Sequence, residues 1–192
     1  AQSALRQIEG LGCDVQTLSA PFSAEAIWES WTTLRSYTVG MGLAGMYENP
    51  ETRDRLKKTA QWEIERGLAM TGKEVNAASI IRSDWFKAAA EAFENVDVMI
   101  LPSAQVWPFD VATEYPTEIA GRTMGTYHRW MEVMIAPSLI GLPVVNIPMG
   151  FGGPNNLPMG LQLIGKRGSD AMLLRVAQAW HGATHWPDVR RV

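Results

Sequence analysis

Cysteine occurs once in this 192-residue chain, at position 13, so no intramolecular disulfide can form and no cysteine-based metal cluster is on offer. Charge is sparse and nearly balanced. Lys and Arg number 17 against 20 Asp and Glu, a formal net charge of -3, which leaves no basic footprint for nucleic acid. No stretch of about 18 uncharged apolar residues is present, so no segment is expected to span a bilayer. The first residues include Arg6 and Glu9 and lack a long apolar core, so no secretion signal is expected. Repeats and low-complexity tracts are also missing. These absences predict a soluble protein with neither nucleic acid nor membrane as partner, and the lone thiol suits a reducing cytoplasm. What is there builds a core: 46% of residues are hydrophobic, and a chain of this length can bury roughly 70% of its extended surface. One domain, or a large part of one, is the expectation.

Residues 141–165, GLPVVNIPMGFGGPNNLPMGLQLIG, contain two short apolar runs, each opened by Leu-Pro. Val144, Val145 and Ile147 are β-branched and bracketed by Pro143 and Pro148, which should confine strand pairing to the interval between them. The second run, Met159 to Ile164, lies between Pro158 and Gly165. The intervening Gly150, Gly152, Gly153, Pro154, Asn155 and Asn156 have the backbone preferences of a turn. A hairpin or split pair of core strands follows, and the continuous apolar runs read as strands covered on both faces.

This segment resembles the C-terminal region of the amidase signature family, serine amidohydrolases. The matching residues are Gly141-Leu142-Pro143, Pro148-Met149-Gly150 and the run from Leu157-Pro158-Met159-Gly160 through Gln162 to Gly165. Upstream, Asp97 to Ser103 is similar to the family's preceding strand. Downstream, Ser169 to Leu174 and Ala177 to Trp180 are similar to its closing helix. The first half fits more loosely, chiefly as a helix and a strand around Leu5 to Leu18. The family's chemistry uses a Lys and two serines near a Gly-Gly-Ser-Ser-Gly run, and no such run occurs here. None of Lys57, Lys58, Lys73, Lys87 and Lys166 precedes a Gly/Ser-rich nucleophile segment. The resemblance therefore implies a C-terminal piece of a longer enzyme, with no catalytic residue inside the chain and the N-terminal half of the same enzyme as its partner. Alone, it is expected to self-associate.

Elsewhere the pattern is helical. Ala4 to Leu11 ends a helix at Gly10 and Gly12, and Cys13 to Leu18 alternates like a strand. Ser23 is a candidate N-cap for a helix with Ile27, Trp28, Trp31, Leu34 and Val39 on an apolar stripe, the two tryptophans as core. Asn49-Pro50-Glu51 starts another, predicted to run through Leu56, Ile64 and Leu68 to Gly72. Thr71 and Glu74 suit a capping box for a third. The long stretch from Ser103 to Arg122 is expected to be loop, of a length that is usually functional or disordered.

Three motifs are decoys. Gly40 to Gly45 spells the dinucleotide fingerprint but follows a helical stripe and lacks a second strand ending in an acid. Close helix packing, or a glycine-rich helix end, accounts for it. Gly160 to Lys166 mimics a phosphate loop, yet Arg167 stands where Ser or Thr belongs and the interior reads as strand. His181 and His185 have zinc-like spacing, with only Asp188 as a nearby third ligand, and read as a solvated tail.

The expected architecture is α/β: a mixed β-sheet flanked by helices, the C-terminal part of an amidase signature fold, spanning 1–192 with a helical segment at about 23–95 and a sheet-forming one at about 96–192. Tyr127, His128, Met131, Met134, Ile135 and Ser138 share one side if Thr123 to Ile135 is helical. By the resemblance, this helix and the loop before it border the substrate cleft, which makes Gln105, Trp107, His128, Met131 and Ile135 candidate substrate-binding residues. The strong alternative is that this whole side is core, with His128 hydrogen-bonded and inert. Relatives that form glutaminyl-tRNA carry an Asp near the Met131 position, so a less polar amide or anilide is implied here. No metal and no organic cofactor is implied. The alternatives are a non-catalytic α/β ligand-binding or assembly module and, more remotely, a dinucleotide-dependent oxidoreductase.

Overall fold

The computed structural model describes residues 2–189. It divides into two compact units, one from the chain up to Pro21 joined by everything from Ala90 onward, the other Phe22–Ala89.

The second unit is helical: α2 (Ala24–Glu48), α3 (Pro50–Arg53), α4 (Lys58–Leu68) and most of α5 (Gly72–Ala92). Caps define the ends, since each takes up a backbone N–H that the first turn leaves unbonded. Ser23 Oγ accepts from Ala26 N at 3.2 Å. Asn49 Oδ1 accepts from Glu51 N at 3.0 Å, and Thr71 and Glu74 close a reciprocal box at 2.7 and 3.3 Å. Those contacts hold the Glu74 carboxyl below its usual range, the Thr71 backbone N–H contributing most and its hydroxyl next. The helix expected from Pro50 to Gly72 is two helices. The chain breaks between Arg53 and Lys58, where Gln61 Nε2 donates to the freed carbonyls of Arg53 and Leu56 at 3.0 and 2.9 Å.

The face of α2 that is buried consists of Ile27, Ser30, Thr33, Ser36 and Gly40. Trp28 and Trp31 are instead half-buried and stack on each other at 5.9 Å. Small side chains let backbones approach: a Cβ on Gly40 would stand 3.0 Å from Gly67 Cα in α4. The dinucleotide-like glycines thus lie within a continuous helix, and of the three only Gly40 serves close packing. Polar atoms at this seam are satisfied. Ser30 Oγ donates to Ala78 O at 2.7 Å, and Arg66 Nη1 donates to Thr32 O at 2.8 Å. The buried Glu63 carboxylate accepts from Arg35 Nε at 2.7 Å.

The first unit holds a three-stranded antiparallel sheet, in the order β1 (Val98–Pro102), β5 (Leu157–Gly165), β4 (Val144–Gly152). Its core joins Ala4 and Ile8 of α1 (Gln2–Gly10), Ile147, Leu161 and Leu163 of the sheet, and Leu173 and Trp180 of α7 (Asp170–Thr184). Central β5 is buried at every residue from Leu161 to Gly165, covered on both faces. In β4, by contrast, Val144, Asn146 and Pro148 are exposed, so the expected two-sided cover fails there. The strand also passes Pro148, contrary to expectation. A bulge between Pro148 and Gly150, the latter at φ +117°, skips a residue and re-forms the ladder as far as Gly152 and Leu157. Trp180 Nε1 donates to Pro148 O at 2.8 Å, using the carbonyl on the bulged side.

Three further expectations change. Cys13 to Leu18 forms no strand and has no regular secondary structure. The stretch after Ser103 contains a small hairpin, β2 (Glu118–Ile119) with β3 (Arg122–Thr123), turned by Ala120 and Gly121 at positive φ. Thr123 to Ile135 is not one helix. It is strand, then loop, then a 3₁₀ helix (Arg129–Met134) leading into α6 (Ile135–Leu139), with Pro137 in the first turn of α6, where its missing N–H breaks no helical bond. After α7, His185 takes a left-handed φ of 50° and α8 (Trp186–Val189) follows. No helix among the described residues is long and apolar enough to cross a membrane.

Candidate functional site

A cavity of about 530 Å³ opens between the segment following β1 and the β4–β5 hairpin. Its construction starts from the sheet ladder. Ser103, just past β1, continues the pairing with β5: its N–H donates to Gly160 O at 2.9 Å, and its Oγ accepts from Gly160 N at 3.1 Å. Having no Cβ, Gly160 leaves a polar floor. An added methyl would stand 2.8 Å from both Ser103 Oγ and Asn146 Oδ1. Asn146 sits on the exposed face of β4, and its amide makes no hydrogen bond among the described residues.

The walls are apolar. Trp107 lies on the hairpin tip, where a Cβ on Gly152 or Gly153 would come within 2.7 or 2.8 Å of its ring. Trp130 meets Phe109 edge-on at 5.4 Å, and the buried indole N–H of Trp130 has no hydrogen-bond partner among the described residues. None of the residues lining the cavity is ionisable, so its wall offers a charged ligand group neutral hydrogen-bonding partners but no opposite charge.

Behind this wall, two glutamines tie the 3₁₀ segment to the sheet. Gln162 Nε2 donates to Pro102 O at 2.8 Å and Val133 O at 3.3 Å, while Gln105 Oε1 accepts from Val133 N at 3.0 Å. The buried guanidinium of Arg129 holds Glu132 at 2.9 Å, and Arg122 approaches the same carboxylate oxygen at 3.5 Å.

Of the five sequence candidates, only Trp107 lines the cavity. Gln105 is half-buried and spends its carbonyl on Val133. His128 is buried edge-on against Tyr127 at 5.4 Å. Met131 is half-buried and Ile135 is core. Gln105 is tied by its bond from Val133 N to the segment that carries Met131 and Ile135. Ser103, Asn146, Trp130 and Gly160 line the cavity although sequence reasoning does not single them out. A signal exists for two of them: Asn146 is a lone polar residue in an apolar strand run, and Gly160 a mid-strand glycine, which marks close approach of other groups. For Trp130 no sequence signal is apparent. Among the described residues no three His, Cys, Asp or Glu are grouped to hold a metal; His185 Nδ1 faces Asp188 at 3.8 Å on an exposed turn.

A hairpin-centred sheet with helices on it, and a cavity against the hairpin without ionisable lining residues, define the α/β scaffold. A family model described as Amidase matches residues 2–174, and the chain belongs to that family, the amidase signature enzymes. It is 36% identical over 108 residues to a glutamyl-tRNA(Gln) amidotransferase subunit of Acinetobacter baumannii, covering 56% of this chain and 19% of that protein. To the corresponding protein of Bacillus thuringiensis, which bears the same name, it is 27% identical over 211 residues, covering 96% and 41%. Among solved structures, a bacterial aryl acylamidase of the amidase signature family superposes with a TM-score of 0.84 at 19% identity, over 97% of this chain and 40% of that one. A 6-aminohexanoate cyclic dimer hydrolase gives 0.79 at 20%, over 99% and 41%. The chain thus spans about two fifths or less of the length of these relatives.

Proposed function

We propose that this chain is the C-terminal portion of an amidase that cleaves the C–N bond of a linear carboxylic amide through a serine nucleophile outside these 192 residues. The observation that carries the reading is the family match over residues 2–174, combined with the absence from the sequence of a Gly/Ser-rich run preceded by a Lys. In that scheme the upstream serine attacks the amide carbonyl, its Ser-Lys relay moves the protons, and water releases the acid from an acyl-enzyme. The chain described here supplies sheet strands and substrate wall, with Trp107 on the cavity and Gln105, His128, Met131 and Ile135 in or behind the cleft. Met131 favours a less polar amide or anilide over a glutaminyl group. Its partner is the N-terminal half of the same enzyme. A cytoplasmic location suits the single exposed thiol of Cys13.

The test joins this chain to the residues encoded upstream and follows amine or ammonia release from simple amides. Turnover is expected in the longer protein, is lost when a serine of its Gly/Ser-rich run is changed to Ala, and is absent from the 192-residue chain alone. Turnover by the short chain that disappears in a single Ser→Ala variant within it would overturn the assignment.

A further inference from the structure

We infer that residues 106–116 form a flap over the cavity, hinged at both ends and latched shut by the Trp107 ring on Gly152 and Gly153. The flap governs entry to the cavity whatever chemistry the longer protein performs.

Hydrogen bonds fix the two ends of this stretch and leave its middle free. At one end Ser103 continues the ladder to Gly160, and Gln105 Oε1 accepts from Val133 N at 3.0 Å. At the other, Met124 N donates to Thr117 O at 2.8 Å, beside the β2–β3 hairpin. Between them, among the described residues, no hydrogen bond or ion pair ties 106–116 to the rest of the chain. The bonds it makes are its own. Asp110 accepts from Ala112 N through its carboxylate at 2.8 Å and from Thr113 N through its carbonyl at 2.9 Å, closing a turn on which Val111 is fully exposed.

Rings hold the stretch in place. Trp107 lies on the tip glycines, Phe109 meets Trp130 at 5.4 Å and Tyr115 meets Tyr127 at 5.8 Å. Apolar contacts are non-directional, so parting them strands no polar group. The facing wall is built the other way. Gln162 and Gln105 take up the carbonyl and the N–H of Val133, and Arg129 holds Glu132, so displacing the 3₁₀ segment would leave buried polar groups unpaired. One wall of the cavity is therefore fixed while the other can swing at low cost, as segments with few buried contacts and few hydrogen bonds do. Pro108 and Pro116 fix their own φ and restrict the residue before each. The turn between them keeps its shape, and bending falls to Val106 and Thr117.

The experiment labels the 192-residue chain with 5-fluorotryptophan and assigns the fluorine line of Trp107 by its loss in Trp107→Phe. Lids open on the microsecond-to-millisecond scale, so relaxation dispersion should find exchange at Trp107. It should find none at Trp180, which is buried with its indole N–H on Pro148 O. Gly152→Ala places a Cβ 2.7 Å from the seated ring, and the Trp107 line should then move toward the position of a solvent-exposed tryptophan. Cleavage after Glu114 by a glutamate-specific protease should quicken by about tenfold in the same variant, because proteolysis follows the open population. Its melting temperature should stay within about 2 °C of the parent, since no hydrogen bond to the rest of the fold is lost. A Trp107 line without exchange in the parent overturns the flap. So does a Gly152→Ala variant in which the line and the cleavage rate stay parental, or one that melts far below the parent or fails to fold, since Trp107 would then belong to the core.

Discussion

Substituting Gly67 by Ala tests the packing of the helical unit. A Cβ at this position in α4 would lie 1.9 Å from Ser36 O and 2.7 Å from the same carbonyl carbon of α2. Since Cβ atoms essentially never come within 3.0 Å of such neighbours, the helices must part by about 1 Å. The obstacle is backbone, which cannot rotate aside as a side chain does. Parting also stretches the Arg66 hydrogen bonds to Thr32 O and Ser36 Oγ, now 2.8 and 2.9 Å. Overpacking costs ~1–3 kcal/mol, and a backbone clash belongs at the upper end. The better helix propensity of Ala returns about 1 kcal/mol. The net loss of about 2 kcal/mol corresponds to a Tm lower by roughly 4–8 °C for a chain of this size. Gly42→Ala and Gly45→Ala on α2 provide the control, because nothing lies within 4 Å of a Cβ added at either. There only propensity acts, so Tm should rise by roughly 2–4 °C. Thermal melts followed by far-UV circular dichroism compare the three variants. If Gly67→Ala melts at or above the parent, the close contact of α2 with α4 is not what these glycines serve.

Three other outcomes are expected. Met131→Asp in the longer enzyme tests the proposed place of Met131 in its cleft, although Met131 does not line the cavity of this chain: KM for apolar amides should rise with kcat near parental, and a stable variant with unchanged KM removes Met131 from the cleft. Because its capping bonds hold the Glu74 carboxyl below the ordinary range, that group stabilises the start of α5 above its unfolded pKa, and the contribution fades as pH falls through the lower folded value. Glu74→Gln should flatten this acid-side loss in melts taken across the carboxylate range, and an unchanged slope refutes the cap's role. Light scattering at low micromolar concentration should find the 192-residue chain self-associated, since β1 and β4 are the edges of its small sheet and edges template pairing; a sharply melting monomer argues against that and favours a self-sufficient module.

Legibility in the sequence follows how local the determining physics is. The caps at Ser23, Asn49 and Thr71 are readable because each acts within four residues. The β4–β5 hairpin is readable from its turn residues. The extent of β4 is not, because Pro148 looks like a terminator until a bulge shifts the ladder past it. The stripe on α2 misleads for a related reason. Hydrophobicity singles out Trp28 and Trp31, while the closeness of α4 at Gly67 buries Ser36 and Gly40, and Ser30 is buried with its hydroxyl on Ala78 O of α5. The cavity depends on three chain segments meeting, so Trp107 is reached only through resemblance, and Asn146 and Trp130 are invisible to periodicity.

The seating of Trp107 on Gly152 and Gly153 links the evolutionary freedom of two distant stretches. A bulky ring at 107 forbids side chains at the hairpin tip, and side chains at the tip would forbid the ring. Positions 107 and 152 should therefore trade volume across homologues, with a larger residue at 152 appearing where 107 has become small, whereas Gly153, at φ +71°, is held to glycine by its backbone as well. A substrate preference altered at the loop would then carry a compensating change some 45 residues away, and grafting either stretch alone into another member of the family would import half of a matched pair.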